Sequence, residues 1–378
     1  MLIQPSEPKC NPVPYRTQPL WNDAKIFTPS LGCANCVDKA TCGGLSVASA
    51  LYDCLHFCCR NPTDCDSVCR NKPDEFANRV REIRGFDLEN VPRAMPAIAP
   101  DLPSGVPVIF HSNKRTTGFA GPGTVCLPLY KLIEAKSGRV KYSTPRELTE
   151  NFGLHLGTQV ILTGTSTDPA LERWWLFGAG RIEIIRALKK LDIALVTTPN
   201  YSLFTDQPRW DDLHSMKRIA LVYQEFLSEG MPAALHINAR TERDWERWRD
   251  FIASREEVTH LAFEFATGAG WGDRLNWHAD QLVRLASAVS RPLHLIVRGG
   301  TTILPRLAAS FDKLTCLETS TFLKTMRRKA ASVRPDGAVR WKHAPTERSE
   351  QLDALLKENW TTVATIYDTL TPALGKVA

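Results

Sequence analysis

The fold is decided by the stretch 233–300, which contains AALHINAR (233–240), HLAFEFATG (260–268) and PLHLIVRGG (292–300), with a longer amphipathic segment after each of the first two. Each quoted segment is short and largely apolar, which predicts a strand. The intervening segments, RDWERWRDFIASRE and NWHADQLVRLASAVS, carry apolar residues at helical spacing. Strands that alternate with helices predict a parallel sheet joined by right-handed crossovers.

The same alternation continues on both sides of this stretch. Four further strand candidates are VPVIFHS (106–112), QVILTGTS (159–166), IALVTTPNYS (193–202) and LTCLETSTF (314–322). Seven strands with room for an eighth predict an α/β fold, a (β/α)8 TIM-like barrel that is regular or distorted, with a C-terminal helix that closes it. A doubly wound open sheet is the alternative, but no G-x-G-x-x-G follows the first strand, which argues against dinucleotide binding.

Composition divides the 378 residues into three parts and places the protein in a broad class. Residues 1–75 are rich in cysteine, residues 76–105 form a proline-rich linker or strap, and residues 106–378 form the predicted barrel. Charged residues make up 23% of the chain, and no apolar run approaches the ~20 residues that span a bilayer. We therefore expect a cytoplasmic protein that does not contact membranes. The net charge of +6 permits a phosphate-bearing small molecule or nucleic acid as partner.

Nine of the eleven cysteines lie in the first 69 residues. Dense cysteines in a reducing compartment are typical of metal ligands rather than disulfides. Spacings of two to five residues let successive thiolates reach one metal centre, and both iron–sulfur clusters and zinc accept four of them. Zinc ribbons usually carry two C-x2-C pairs and this chain has one, so the spacing favours a cluster. The predicted metal ligands are Cys10, Cys33, Cys36, Cys42, Cys54, Cys58, Cys59, Cys65 and Cys69.

The cysteine-rich part resembles the auxiliary iron–sulfur (SPASM-type) domains, in which a C-x2-C-x5-C-x3-C run recurs. Cys33, Cys36 and Cys42 match the first three positions of that run, and Ser46 occupies the fourth. The resemblance implies one or two clusters of the 4Fe–4S type, with zinc as the alternative. A radical SAM core would need a C-x3-C-x2-C motif after the first strand, which this sequence lacks. The metal could also serve only to stabilise a small segment that buries little apolar surface.

Polar side chains alternate with apolar ones near the ends of the later strands. Because alternate residues of a strand share a face, His236, Asn238 and Arg240 lie opposite Leu235 and Ile237. The apolar face should meet the surrounding helices, so the polar face should point into the barrel. TIM barrels place their active sites at the carboxyl ends of the strands.

The next three strands extend this polar set. Alternation places Glu264 on the inward face of its strand, Arg298 on the same face as His294, and Glu318 on the same face as Cys316. A carboxylate in such a position could act as a general base or a nucleophile, and Arg298 beside two glycines could hold a phosphate or a carboxylate. The alternative is a buried, mutually satisfied layer of ion pairs.

The loop after the strand candidate 193–202 carries a second resemblance. Its sequence Pro-Asn-Tyr-Ser-Leu-Phe-Thr-Asp-Gln-Pro (199–208) is similar to a run found in an uncharacterised domain family of phages and plasmids. The similarity extends over about residues 190–270 and implies a mobile-element context. Asp206 matches the family's run, and Asn200 stands where its members often carry Asp. Asn200, Ser202 and Asp206 are candidates for substrate contacts or, alternatively, members of a turn.

Two functions follow as hypotheses. The first is an iron–sulfur-containing TIM-barrel enzyme that acts on a nucleotide, a nucleobase or nucleic acid; the second is a non-catalytic, metal-stapled nucleic-acid-binding protein of a mobile element. Under the first hypothesis the catalytic candidates are Glu264, Glu318, His236 and Asp206, and the substrate-binding candidates are Arg298, Asn238, Asn200, Ser202 and Arg240.

Overall fold

The structure is a computed structural model that describes residues 28–29, 46–47, 79, 81–116, 119, 123–203, 209–335 and 337–371. The nine cysteines predicted to bind metal lie outside these residues, as does Asp206. The chain forms two compact units. The first comprises Met1–Pro92, Tyr201–Leu221 and Ile237–Ser254, and the second comprises Arg93–Asn200, Val222–His236 and Arg255–Ala378.

Eight parallel strands in the second unit form the barrel. They are β3 (Gly105–Pro107), β4 (Thr124–Pro128), β5 (Gln159–Thr163), β6 (Ile193–Thr197), β7 (Ala233–His236), β8 (His260–Glu264), β9 (His294–Arg298) and β10 (Lys313–Glu318). Outside the barrel, β1 (Thr28–Pro29) pairs antiparallel with β2 (Ser46–Val47), and β11 (Lys329–Val333) forms a hairpin with β12 (Val339–His343).

The helices alternate with the barrel strands along the chain, as the sequence predicts. They are α1 (Pro145–Asn151), α2 (Asp168–Leu176), α3 (Gly180–Lys189), α4 (Arg209–Ser228), α5 (Glu242–Ala253), α6 (Asp273–Ala288), α7 (Leu304–Ala308), α8 (Ser320–Met326) and α9 (Asp353–Leu370). Three 3-10 turns span Leu129–Lys131, Gly268–Gly270 and Thr301–Ile303. No helix among the described residues is both long and apolar enough to cross a bilayer.

A short contact between the first and second barrel strands closes the ring. Strand order runs from β3 through β10 and back to β4, and a parallel bridge between Val108 and Cys126 joins the two ends. The backbone N–H of Ile109 donates to the carbonyl oxygen of Cys126 at 2.8 Å. The predicted TIM-like barrel is thus confirmed as an eight-stranded, parallel, nearly closed barrel, and the open-sheet alternative is wrong.

The barrel interior is filled by one apolar core. Ala234, Ala262 and Ile296 belong to it, together with Cys126 from β4 and Leu317 from β10. Because side chains alternate along a strand, every second residue from these positions also points inward. This alternation determines which polar side chains enter the barrel.

Two local features go beyond the sequence-based expectation. The eighth strand is β4, a five-residue segment. The segment 169–191 forms two helices rather than one, because the chain turns at Gly178 with φ +53, in the left-handed region that glycine tolerates. Helix α9 packs on the outside of the barrel through Tyr367, whose ring would lie 2.9 Å from a Cβ on Gly105 of β3.

Candidate active site

Three of the predicted polar residues meet inside the barrel. His236, Glu264 and Arg298 end strands β7, β8 and β9, and each follows by two positions a residue of the apolar core. Glu264 pairs in register with Arg298, and His236 pairs with Ala262. We call these three residues the carboxyl-end cluster, since they lie at the end of the barrel where TIM barrels carry their sites.

Glu264 and Arg298 form a largely buried ion pair. The Arg298 Nε lies 2.6 Å from Glu264 Oε2, and Glu264 Oε1 accepts a hydrogen bond of 2.7 Å from the backbone N–H of Ala266. Glu264 is 4% exposed, so burial raises the pKa of its carboxyl group, while the charge of Arg298 and these hydrogen bonds act in the opposite direction. The result is a fixed carboxylate whose proton affinity is increased.

His236 is buried without hydrogen bonds to its ring. Its side chain is 2% exposed, and neither ring nitrogen has a hydrogen-bond partner among the described residues. Its backbone N–H donates to Thr198 Oγ1 at 2.9 Å, which holds the strand end in place. Burial, and secondarily the charge of Arg298, lowers the pKa of His236 to about 3, so the imidazole is neutral at pH 7. A neutral imidazole offers one N–H donor and one nitrogen acceptor.

Glycines bring the loops after β8 and β9 close together beside this cluster. Gly299 follows Arg298 with φ +82, and a Cβ on it would lie 2.8 Å from the backbone nitrogen of Ala266. A Cβ on Gly270 would lie 1.9 Å from the carbonyl oxygen of Phe265. Real Cβ atoms do not approach this closely, so the observed backbone path requires glycine at both positions.

Glu318 does not join the cluster, and the expectation that it points into the barrel is wrong. Leu317 is the residue of β10 that enters the apolar core, in register with Val106, so Glu318 faces outward. Its Oε1 accepts from the backbone N–H of Ser320 at 2.7 Å, and its Oε2 accepts from Thr321 at 2.8 Å. Glu318 therefore caps the amino end of α8, where a negative charge is favourable.

Two of the other candidates lie in the first unit and serve its packing. The side-chain amide of Asn238 donates to the carbonyl oxygen of Tyr201, and its backbone carbonyl accepts from the indole of Trp248 at 2.8 Å. Arg240 lies 2.7 Å from Asp212, which is fully buried. These contacts account for Asn238 and Arg240 as structural residues of that unit.

The remaining described candidates follow strand β6. Asn200 belongs to the second unit, and its side-chain oxygen is buried without a hydrogen-bond partner among the described residues. Ser202 is half-buried and lies in the first unit. Asn200 therefore offers an unused acceptor at a strand end, as a substrate-contacting residue would.

Cys126 is a member of the site region that the sequence did not reveal. It faces the barrel interior from β4, and burial raises the pKa of its thiol while the charge of Arg298 opposes that rise. Cys316 is also buried and has its pKa raised to about 12. Among the residues that the structure describes, no group of three or more His, Cys, Asp or Glu side chains could hold a metal ion.

The carboxyl-end cluster combines three chemical capacities. Glu264 can accept a proton or attack an electrophilic carbon, His236 can donate a hydrogen bond to a developing negative charge, and Arg298 can bind an anionic group. Environments that shift the pKa values of two titratable groups in opposite directions are typical of acid–base sites.

No protein-family model matches the chain, and no curated protein is significantly similar to it. Function is therefore inferred from the barrel's own side chains.

Proposed function

We propose that the protein is a TIM-barrel enzyme whose active site is the carboxyl-end cluster. The observation that carries the proposal is the buried imidazole of His236, whose two ring nitrogens have no partner among the described residues. Buried polar atoms are hydrogen-bonded in the great majority of cases, and each exception requires a reason. A substrate that supplies the missing partners provides that reason. Glu264 then acts as general base or nucleophile, and neutral His236 stabilises the charge that develops on the substrate.

The proposed substrate carries an anionic group, with a nucleotide, a nucleobase or nucleic acid as its class. Arg298 supports this choice because its guanidinium group sits at a strand end beside glycines, a common arrangement for phosphate binding in barrels. The net charge of +6 is compatible with a phosphate-bearing partner. Asn200 is a second polar contact in the proposed site.

We further propose that residues 1–75 carry an iron–sulfur cluster, with zinc as the alternative. The support is the cysteine spacing, since these residues lie outside the described part of the chain. Protein purified without oxygen should contain iron and sulfide in equal amounts and absorb near ~400 nm. A colourless protein that contains zinc would instead make this segment a structural staple.

The test of the enzyme proposal uses a panel of nucleotides, nucleosides and nucleobases, with products followed by mass spectrometry. Wild-type protein is expected to convert at least one compound. Glu264→Gln should bind that compound within about threefold of wild type but lose ~10²-fold or more in turnover, because the base is gone while the shape remains. Arg298→Gln should mainly raise KM.

Glu318→Gln is the matched control, since it alters an outward-facing carboxylate on β10, which is separated from the strand of Glu264 by β9. Its turnover should equal that of the wild type. Full turnover by Glu264→Gln would show that the carboxyl-end cluster is not the catalytic site. Specific binding of nucleic acid with no conversion of any compound would favour the binding-protein hypothesis.

A further inference from the structure

A second concave site lies apart from the barrel interior, in the loops that follow β4 and β5. It has a volume of about 390 Å3 and opens between the 3-10 turn Leu129–Lys131 and the first turns of α2 (Asp168–Leu176). Small-molecule sites usually measure ~300–1,000 Å3 and combine apolar walls with a few polar groups. This cavity has both properties, and the chemistry proposed for the carboxyl-end cluster does not use it.

Aromatic rings form much of the wall. Tyr130, Trp174 and Phe177 all line the cavity. The Tyr130 hydroxyl donates to the carbonyl oxygen of Gly164 at 3.0 Å, which fixes its ring. Trp174 is stacked on Phe226 with 5.8 Å between ring centroids. Rings that are held in place in this way provide a preformed surface for a flat ligand at low entropic cost.

One wall residue, Trp174, carries a buried donor that has no partner among the described residues. Trp174 is 1% exposed, and its indole nitrogen has no hydrogen-bond partner among the described residues. The indole N–H can only donate, so a ligand acceptor would satisfy it. The N-cap residue of α2, Thr167, lines the cavity as well, and its side chain makes no capping hydrogen bond. Backbone N–H groups at such a helix start favour negative charge.

Two cationic side chains complete the lining. Lys131 comes from the 3-10 turn and Arg173 from α2. One guanidinium nitrogen of Arg173 donates to the carbonyl oxygen of Ala135 at 3.0 Å, which holds the group at the cavity edge. Asp168, the acidic residue in the first turn of α2, is not part of the lining. The cavity therefore combines aromatic walls with positive charge.

We propose that this cavity binds a planar aromatic molecule that carries one anionic group. The ring lies against Tyr130 and Phe177, an acceptor atom of the ligand receives the Trp174 N–H, and the anionic group lies between Lys131 and Arg173. An aromatic carboxylate and a nucleoside monophosphate share this chemistry. The site is independent of His236, Glu264 and Arg298.

The test is calorimetric titration of the full chain with four probes: adenosine 5′-monophosphate, indole-3-carboxylate, adenosine and inorganic phosphate. Adenosine 5′-monophosphate or indole-3-carboxylate should bind saturably. Adenosine lacks the anionic group and phosphate lacks the ring, so each should bind at least about tenfold more weakly. Preference for the monophosphate identifies a nucleotide site, and preference for the carboxylate identifies an aromatic-acid site.

Variants then assign the binding to this cavity. The double variant Lys131→Gln, Arg173→Gln changes only exposed side chains and should weaken binding about tenfold or more. Trp174→Phe keeps the ring, removes the donor and should weaken binding several-fold. Lys136→Gln, an exposed lysine that does not line the cavity, should leave binding unchanged. Equal affinity in the wild type and the double variant, or no saturable binding of either anionic probe, would overturn the proposal.

Discussion

Histidines at the two ends of the barrel interior differ in whether their rings have hydrogen-bond partners. At the amino ends of the strands, His294 Nε2 lies 2.8 Å from Thr315 Oγ1, and that hydroxyl donates to the carbonyl oxygen of Pro103 at 2.8 Å. Because the hydroxyl proton is engaged with Pro103, the imidazole must be the donor to Thr315. His260, with its ring centroid 4.8 Å from that of His294, is within 2.9 Å of Thr259 Oγ1. At the carboxyl ends, neither ring nitrogen of His236 has a partner within the described part of the chain.

This difference separates a stabilising cluster from a site. Each residue of the amino-end cluster (His260, His294 and Thr315) makes a side-chain hydrogen bond, as structural polar groups do. The carboxyl-end cluster leaves the His236 ring without a hydrogen-bond partner among the described residues and holds a largely buried charged pair, arrangements that cost stability and suit a ligand. The carboxyl-end cluster is therefore expected to lower the stability of the folded barrel, and the amino-end cluster is expected to contribute to it.

The largest effect is expected when the ion pair of the carboxyl-end cluster is broken. Arg298→Met leaves the Glu264 carboxylate buried without its counter-ion, which should lower the free energy of unfolding by about 3 kcal/mol at pH 8. The loss should shrink as the pH falls from 8 to 5, because burial raises the pKa of Glu264 and removing the charge of Arg298 raises it further. Urea unfolding at both pH values measures it. Arg186→Met removes an exposed arginine that is ion-paired with Glu229 and Glu183, and it should cause a much smaller loss. A loss of equal size at pH 5 and pH 8 would contradict this account.

Acid should destabilise the protein through its buried histidines. Folded His236 stays neutral until its pKa of about 3, whereas the unfolded chain binds a proton below about pH 6.5. The stability present above pH 6.5 is therefore lost as the pH falls toward 3. His236→Leu should reduce the loss between pH 7.5 and 4.5 by about 2 to 3 kcal/mol. Unfolding free energies of both proteins at the two pH values test this, and parallel pH profiles would contradict it.

The same substitution at the two ends should have opposite effects at pH 7.5. His294→Leu removes the donor to a fully buried threonine and should cost about 1 to 2 kcal/mol of unfolding free energy. His236→Leu removes two unsatisfied nitrogens and should leave stability unchanged or raise it by about 1 kcal/mol. Chemical denaturation of the two variants side by side decides the matter. A larger loss for His236→Leu would show that His236 is structural.

The smallest effect concerns the outward-facing carboxylate. Glu318→Ala removes the cap of α8 and should lower the unfolding free energy by about 1 kcal/mol. It should not affect ligand binding at the carboxyl-end cluster, because the side chain points away from it. Thermal unfolding with and without a bound compound separates these outcomes. If the ligand no longer stabilises Glu318→Ala, Glu318 contributes to ligand binding and this prediction is wrong.

Sequence pattern predicted the site wherever a strand alternates visibly. His236 and Glu264 lie in segments where polar and apolar residues take turns, so their inward direction follows from period two. Glu318 failed this reasoning because β10 mixes polar and apolar residues on both faces: Leu314 and Cys316 share the face of Glu318, and Thr315 shares the face of Leu317. Such a strand carries no alternation from which its phase can be determined.

The fold was predictable to a similar degree. Each of the seven strand candidates overlaps a barrel strand, because each contains a short apolar run. Strand β4 was not assigned because TVCLP (124–128) is short and ends in proline. The break at Gly178 depends on one backbone angle, and a single glycine within an apolar, helix-like pattern does not reveal that angle. Closure between β3 and β4 is a tertiary contact that no local pattern specifies.

The contact between β3 and β4 has a consequence for transient opening of the barrel. Every other neighbouring pair of strands shares at least two paired positions, whereas β3 and β4 are joined only at the bridge between Val108 and Cys126. Any transient widening of the ring should concentrate at this seam. The Cys126 thiol lies at this seam and is fully buried, so it can be alkylated only when the barrel opens. The alkylation rate of the peptide that contains Cys126 therefore measures how often the barrel opens.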